Sequence, residues 1–291
     1  MTVYTTAPFV KKTTPKAWEE SPFVYGGRLF KAGFQRKWTA TDGMAIIISQ
    51  YDDEKNVFWE VGRIPWDRML GCILVDGDRV YAFGTTNTAN PGNSLKIREI
   101  NPATWTFAGE ERNVVTAPQG VKIYNSSACK APGRFVVVYE TDEGPVPFSG
   151  RFLQSTDLVT WQPIGALLRG NAYNACQTVR YATDGWFLLT WLWLNNHEGR
   201  NYWITNIART KDFVNVQSFA GNAELPVTTQ VLSPMDSPYE GVNNSDCDFI
   251  EYKGRVYFTY FTGDQATWAF NNDAWYDGTI EDFYREWWPA T

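Results

Sequence analysis

Short apolar runs divided by polar turns recur along the chain. Their length and their Val, Ile, Tyr, Phe and Trp content predict strands. Four of the runs carry the four cysteines, in Leu70-Gly-Cys72-Ile-Leu, Ser127-Ala-Cys129-Lys-Ala, Asn174-Ala-Cys176-Gln-Thr and Asp246-Cys247-Asp248-Phe-Ile. A second run follows each of them: Val80-Tyr-Ala-Phe, Phe135-Val-Val-Val-Tyr, Trp186-Phe-Leu-Leu-Thr-Trp and Val256-Tyr-Phe-Thr-Tyr-Phe. The pattern places all four cysteines at one register of a repeated inner strand. The residue before the cysteine is small in three copies (Gly71, Ala128, Ala175) and acidic in the fourth, Asp246. If the inner strands converge on an axis, that carboxylate stands in the middle of the molecule.

These runs organise the chain into five repeating units. The first begins near Asp42-Gly-Met-Ala-Ile and continues through Val57-Phe-Trp-Glu-Val. The others cover about 67–105, 121–164, 173–219 and 240–288, and the last ends in a stretch expected to form a short helix. Asp76-Gly77 between two alternating runs is a hairpin signal. Self-similar β units of this length predict an all-β chain, a five-bladed β-propeller in one domain over residues 25–291. Residues 1–24 are polar, carry Pro8, Pro15 and Pro22, and read as an extended N-terminal arm. Such an arm could wrap a neighbouring subunit of an oligomer. Phe23-Val-Tyr-Gly-Gly-Arg-Leu-Phe reads as a strand that packs on, or closes, the last unit. Insertions at 84–94, 143–149 and 194–201 are expected at one face, carrying the site.

Composition narrows the function. The chain of 291 residues is 44% hydrophobic and 16% aromatic, enough for a large core and for rings that stack on sugars or bases. Its net charge of −6 and its lack of a Lys/Arg block argue against nucleic acid as a partner. The lack of a long apolar run argues against a membrane span. The start, Met-Thr-Val-Tyr-Thr-Thr, has no basic stretch followed by an apolar one, which leaves a cytoplasmic chain or one from which an export signal has been removed. No Cys-x-x-Cys or Cys/His cluster is present, so the cysteines read as buried free thiols and no metal ligands are expected. Nucleotide-binding glycine loops, Gly-x-Ser-x-Gly and His-Glu-x-x-His are also absent.

Ser155-Thr-Asp-Leu-Val-Thr-Trp161, with its weaker copy Arg209-Thr-Lys-Asp-Phe-Val, resembles the Ser-x-Asp-Leu-x-x-Trp blade ending of the five-bladed propeller glycosidases. These include glycoside hydrolase families 43, 32, 62 and 117 and the mannoside phosphorylases of family 130. Thr183-Asp-Gly-Trp-Phe-Leu-Leu-Thr-Trp resembles their second strand. The resemblance implies a propeller that acts on carbohydrate. The chain departs from family 43 where that family carries Asp-Pro in its first inner strand, since Asp42-Gly43 stands there. Glu143-Gly-Pro145 matches the letters of the family's acid motif but follows the second strand of its unit.

Glycoside hydrolysis needs two carboxyl groups, about 5–5.5 Å apart for retention or about 6.5–9.5 Å apart for inversion, one of them held protonated. The catalytic candidates are Asp246, Glu240, Glu140, Asp142 and, because family 117 is associated with a histidine acid, the single histidine His197. Asp248 shares a strand face with Asp246 by the period of two. Asp248 and Arg180 are expected to grip substrate. Trp38, Trp66, Trp191, Trp193 and Trp268 are candidate sugar platforms, and Asp264 and Gln265 candidate hydroxyl ligands. The reading is an inverting glycoside hydrolase acting on an oligosaccharide or polysaccharide end. It requires no cofactor and is compatible with a structural cation in the central channel. A non-catalytic carbohydrate-binding propeller and an inverting phosphorylase, using Arg36, Lys37, Arg180 and Arg209 for phosphate, are the alternatives.

Overall fold

In the computed structural model, residues 12–14, 18–35, 43–86, 92–144, 148–168, 174–197, 199–218, 242–263 and 269–288 are described. Three four-stranded antiparallel sheets follow one another. The first holds β2 (Trp18–Tyr25), β3 (Arg28–Gln35), β4 (Ala45–Asp52) and β5 (Val57–Pro65). The second holds β6 (Arg68–Asp76), β7 (Arg79–Thr86), β8 (Ser94–Asn101) and β9 (Thr106–Thr116), and the third β10 (Ile123–Ala131), β11 (Arg134–Thr141), β12 (Ser149–Ser155) and β13 (Gln162–Leu168). The remaining eight strands form two further groups of four. One is β14 (Ala175–Thr183), β15 (Trp186–His197), β16 (Arg200–Thr210) and β17 (Gln217–Ser218). The other is β18 (Asn243–Tyr252), β19 (Arg255–Gly263), β20 (Ala269–Tyr276) and β1 (Lys12–Thr14). A single parallel pair, Trp203 with Asn243, links the two. The first strands of the groups touch in a closed ring, β2 to β6 to β10 to β14 to β18 and back to β2. The fold is a β-propeller, and the groups are its blades.

The apolar runs are nearly continuous because each blade is buried on both faces. Along β11, Phe135, Val137 and Tyr139 point into the layer shared with the second blade, while Val136 and Val138 point into the layer shared with the fourth. Five such layers make up the core. The fifth joins Leu29, Tyr51 and Phe58 of the first blade to Tyr257 and Trp275 of the last. The C-terminal helix α1 (Ile280–Trp287) starts at a Thr279–Asp282 capping box and lays Phe283 on Phe249 and Phe258.

The N-terminal segment differs from the expected arm. A boundary at residue 24 falls inside β2, which is the inner strand of the first blade. The run from Phe23 to Phe30 is that blade's first hairpin, and β1 instead completes the last blade, pairing with β20 from Lys12 opposite Asp273 to Thr14 opposite Asn271. Gly26 and Gly27 turn this hairpin at positive φ, as glycine pairs between alternating runs do.

The blade endings have a local cause. Ser155 Oγ accepts from the Asp157 and Leu158 amides, and Asp157 Oδ1 accepts from those of Val159 and Thr160. Thr210 and Asp212 cap the equivalent turn around Phe213. These caps hold Leu158 and Phe213 at φ near 60°, a conformation that costs a non-glycine residue energy. The turn drives the side chain between blades, where Phe213 meets Phe152 and Phe187 at ring distances of 4.9 and 4.8 Å. Trp105 does the same against Phe30 at 5.2 Å.

Replacing Phe213 with alanine is expected to cost about 3–5 kcal/mol in urea unfolding, whereas the neighbouring exposed Val214→Ala should stay within about 0.5 kcal/mol. The Asn215 amide, with the other donors of the turn, lowers the Asp212 carboxyl to about 2. A lowered folded value stabilises above the unfolded value of about 3.9 and loses that effect as pH falls. The stability gap between wild type and Asp212→Ala should therefore be constant near neutrality and close between about pH 4 and about pH 2, read from urea midpoints.

Candidate active site

Each inner strand breaks register near its start, between Trp18 and Glu20, Leu70 and Cys72, Ile123 and Ser126, Ala175 and Thr178, and Ser245 and Asp248. A bulge adds a residue to one strand and re-aims its side chains. Here the bulges ring the axis. Cys176 and Asp246 occupy them at φ of 55° and 52°. Gly71 fills the same place in β6, where a Cβ would lie 2.1 Å from Ser126 Oγ. The bulges also undo the expected common register of the cysteines. Cys129 pairs with Val136 beside the Pro132-Gly133 turn, whereas Cys176 lies at the opposite end of its strand and corresponds to Asp246. None of the four cysteines is in a disulfide. Burial pushes Cys129 up to about 12 and Cys247 well above its ordinary value.

The bulges surround a pocket of about 40 Å³ lined from all five inner strands, by Glu20, Gly71, Ser126, Gln177, Asp246 and Asp248 among others. Asp246 is half-buried and accepts from Ser245 Oγ at 2.6 Å. Ser126 Oγ and Gln177 Oε1 are buried and have no hydrogen-bond partner among the described residues. The strand ends of β3, β7, β11 and β19 reach this face, and most residues that follow them lie outside the described set.

Glu20 is the carboxylate that the sequence reading missed, because its strand was assigned to the arm. Lys31 Nζ lies 3.0 Å from Glu20 Oε2 and 3.3 Å from Asp273 Oδ1, all three side chains being buried. Tyr257 also donates to Asp273 Oδ1, at 2.5 Å. Burial raises the Glu20 carboxyl, while Lys31 pulls it down and Asp273 pushes it up. Burial alone would lower Lys31, but Glu20 and Asp273 outweigh it and keep the ammonium charged. The glycine pair after Tyr25, which marks a hairpin and so places Glu20 on an inner strand, was the available signal.

Below the pocket the axis is closed by Arg180 and Asp248. Arg180 Nη2 donates to Asp248 Oδ1, and Nε to the Phe249 carbonyl at 2.8 Å. Its Nη1 faces Ser127 Oγ and the Ala128 and Val179 carbonyls at 2.7–3.0 Å. Asp248 also accepts from the Phe249 amide at 2.7 Å and from Ser21 Oγ at 3.0 Å, and Ser21 Oγ in turn accepts from the Ile73 amide at 3.1 Å. Burial raises the Asp248 carboxyl, against the pull of Arg180. On the far side of the pair lies a cavity of about 310 Å³ with mainly apolar walls.

Several expected contacts with substrate are thus corrected. Arg180 and Asp248 spend their polar atoms on neighbouring strands. Trp191 and Trp193 are buried in the layer between the third and fourth blades, because odd positions of β15 face that layer. Trp66 is buried between the first two blades and donates to Glu111 Oε2 at 3.2 Å. Arg209, a candidate phosphate ligand, stacks on Trp186 and Trp288. Glu140 is buried behind the pocket wall, where it accepts from the Cys176 amide at 2.6 Å, holding the bulge. Asp142 is exposed at the rim and accepts from the Lys122 amide at 2.7 Å. The backbone of His197 pairs with Arg200 at the tip of the β15–β16 hairpin. The His197 side chain, Glu240, Trp38, Asp264, Gln265 and Trp268 lie outside what is described. Among the described residues no three His, Cys, Asp or Glu side chains gather as metal ligands.

No protein-family model matches the chain, and no curated protein matches it in sequence. Solved structures do match in fold. A Bombyx mori family 32 β-fructofuranosidase superposes with a TM-score of 0.65 at 14% identity, covering 90% of this chain and 61% of the other. A structure of BT0996 in an RGII complex gives 0.66 at 13% identity, over 91% of this protein and 89% of that one. An α-L-arabinofuranosidase from Clostridium thermocellum gives 0.55 at 14% identity, over 83% and 81%. At such identities the likeness establishes the propeller fold.

Removing Arg180 leaves a buried carboxylate without its cation. Arg180→Met is expected to lower stability by about 3–5 kcal/mol, and Arg180→Met with Asp248→Asn should recover part of the loss, both read by urea unfolding.

Proposed function

We propose that the chain is a glycoside hydrolase whose chemistry takes place at the axial pocket, with Asp246 and Glu20 as its two carboxyl groups. The observation that carries this reading is their convergence, from the last and the first blade, on one pocket that ends at the Arg180–Asp248 pair. Asp246 holds its place at positive φ, and such strain is concentrated at functional sites. The fold likeness to a β-fructofuranosidase and an α-L-arabinofuranosidase supports carbohydrate as the substrate class.

The two groups differ in environment, as acid and base must. Burial raises Glu20, which suits it to deliver a proton to the leaving glycosidic oxygen. Asp246 is half-buried beside the open space of the pocket and suits removal of a proton from water. Space of about 40 Å³ beside it accepts water but not a sugar ring, so the sugar would sit above it. A water between base and anomeric carbon gives inversion. A pocket with a closed floor accommodates a chain end better than a chain interior, so an oligosaccharide or polysaccharide end is the proposed substrate. Ser126 Oγ and Gln177 Oε1 remain as acceptors for water or for a cation in the channel.

The test is a panel of plant, algal and fructose-containing oligosaccharides, scored for reducing-end release and for binding. Asp246→Asn is expected to lower kcat by about 100- to 10,000-fold with binding retained, and the first product seen by proton NMR should carry the inverted anomeric configuration. Binding by both proteins without release by either would favour a carbohydrate-binding propeller instead.

A further inference from the structure

Neighbouring residues of a regular strand point to opposite faces. Ser245 and Asp246 of β18 do not. Asp246 sits in the bulge at φ of 52°, and this turn brings its carboxylate back to Ser245, whose Oγ donates to Asp246 Oδ2 at 2.6 Å. That is the length of a hydroxyl donating to a carboxylate. Asn243, two residues earlier and so on the same side of the strand as Ser245, donates from Nδ2 to Ser245 Oγ at 3.1 Å. Both residues are buried. A serine hydroxyl has one hydrogen and two acceptor positions. With Asn243 donating to Oγ, that one hydrogen is directed at Asp246.

The backbone of the same stretch is held by a different set of groups. The ladder with β19 runs from Ser245 opposite Phe261 to Asp248 opposite Thr259 and leaves Asp246 and Cys247 out. Hydroxyls of the fourth blade take over. Thr178 of β14 and Thr190 of β15 both donate to the Cys247 carbonyl, at 2.7 and 3.3 Å, and Thr205 of β16 donates to the Asn244 carbonyl at 2.8 Å. All three threonines are buried. The bulge is thus clamped on both sides of Asp246 without using Ser245, whose hydroxyl acts on the carboxylate.

We propose that Ser245 is a positioning residue for the reaction. Its hydrogen bond to Oδ2, with the direction set by Asn243, holds the Asp246 carboxylate in one orientation and leaves Oδ1 to take the proton of the attacking water. This rests on the reading of Asp246 as the base. The physical reason is that the last torsion of an aspartate side chain is soft, with a broad range of angles of similar energy. A general base acts only within hydrogen-bond reach of the proton it removes. A half-buried carboxylate beside open space therefore needs a fixed donor on one oxygen to keep the other in line.

The experiment compares the full chain as wild type, Ser245→Ala and Ser245→Cys, by crystal structure and by turnover of an oligosaccharide from the panel above. Ser245→Cys keeps the shape and gives up the strong donor. In the wild type the Asp246 carboxylate should occupy one orientation on Ser245. In both variants it should turn away or spread over several, while the Cys247 carbonyl stays on Thr178 and Thr190. The kcat should fall by about 10- to 100-fold with KM kept. If Ser245→Ala does not fold, Ser245→Cys decides alone. A carboxylate that stays in place in the variants overturns the proposal, and so does a fall in kcat of less than about twofold or an effect on KM alone. A serine that only packs would lower the melting temperature and leave kcat unchanged. The crystal structures need no substrate. A carboxylate released in the variants, with no oligosaccharide cleaved by the wild type, would uphold the hold of Ser245 on Asp246 and sink the hydrolase reading. Cleavage that Asp246→Asn abolishes and Ser245→Ala leaves intact would do the reverse.

Discussion

The buried pair of Arg180 and Asp248 is the constraint on which the centre of the molecule depends. Among the described residues, each of β2, β6, β10 and β14 pairs within its sheet on one side only, so open backbone edges face the axis. Those groups need partners when water is excluded. A guanidinium has five donors in a fixed fork, and here it reaches carbonyls of β10, β14 and β18 together with one carboxylate. Asp248 extends the network through Ser21 to the Ile73 amide, so that all five inner strands are tied at one level. Much of the ion pair's cost in desolvation is offset by these hydrogen bonds. It also divides the axis into a polar pocket on one side and a larger, mainly apolar cavity on the other.

Away from the axis the forces are reversed. The layers between blades are built of aromatic and aliphatic side chains, and tight turns insert Trp105, Leu158 and Phe213 into them. Asx and Ser/Thr caps stabilise the left-handed residue, and the buried side chain offsets the strain. Closure relies on the same means, since the last layer joins the last blade to the first and β1 covers the edge of β20.

The pocket is where local preference yields. Asp246 and Cys176 adopt a conformation suited to glycine, Glu20 is a buried acid, and Ser126 and Gln177 bury acceptors that have no partner among the described residues. Concentrated at the meeting point of five strands, these departures from ordinary folding preference mark a site shaped for something other than stability.

The all-β class, the repeats and the blade endings were legible in the sequence alone, because strand alternation and capped turns are local physics written in neighbouring residues. Asp246 also stood out there, by its acidic departure from a series of small residues. Glu20 could not be assigned in that way, since the partners that make a Glu-Glu-Ser stretch an inner strand, Lys31 and Asp273, are remote in sequence and meet only when the ring closes. Nor was it legible that Trp66, Trp191 and Trp193 face neighbouring blades, or that Arg180 is consumed by backbone carbonyls. A one-residue bulge changes which side chains face the axis, and a bulge leaves no trace in the apolar pattern. Register, bulges and closure are set by contacts between blades, so the second carboxyl group at the pocket, Glu20, and the pairing of the two were decided by the tertiary structure.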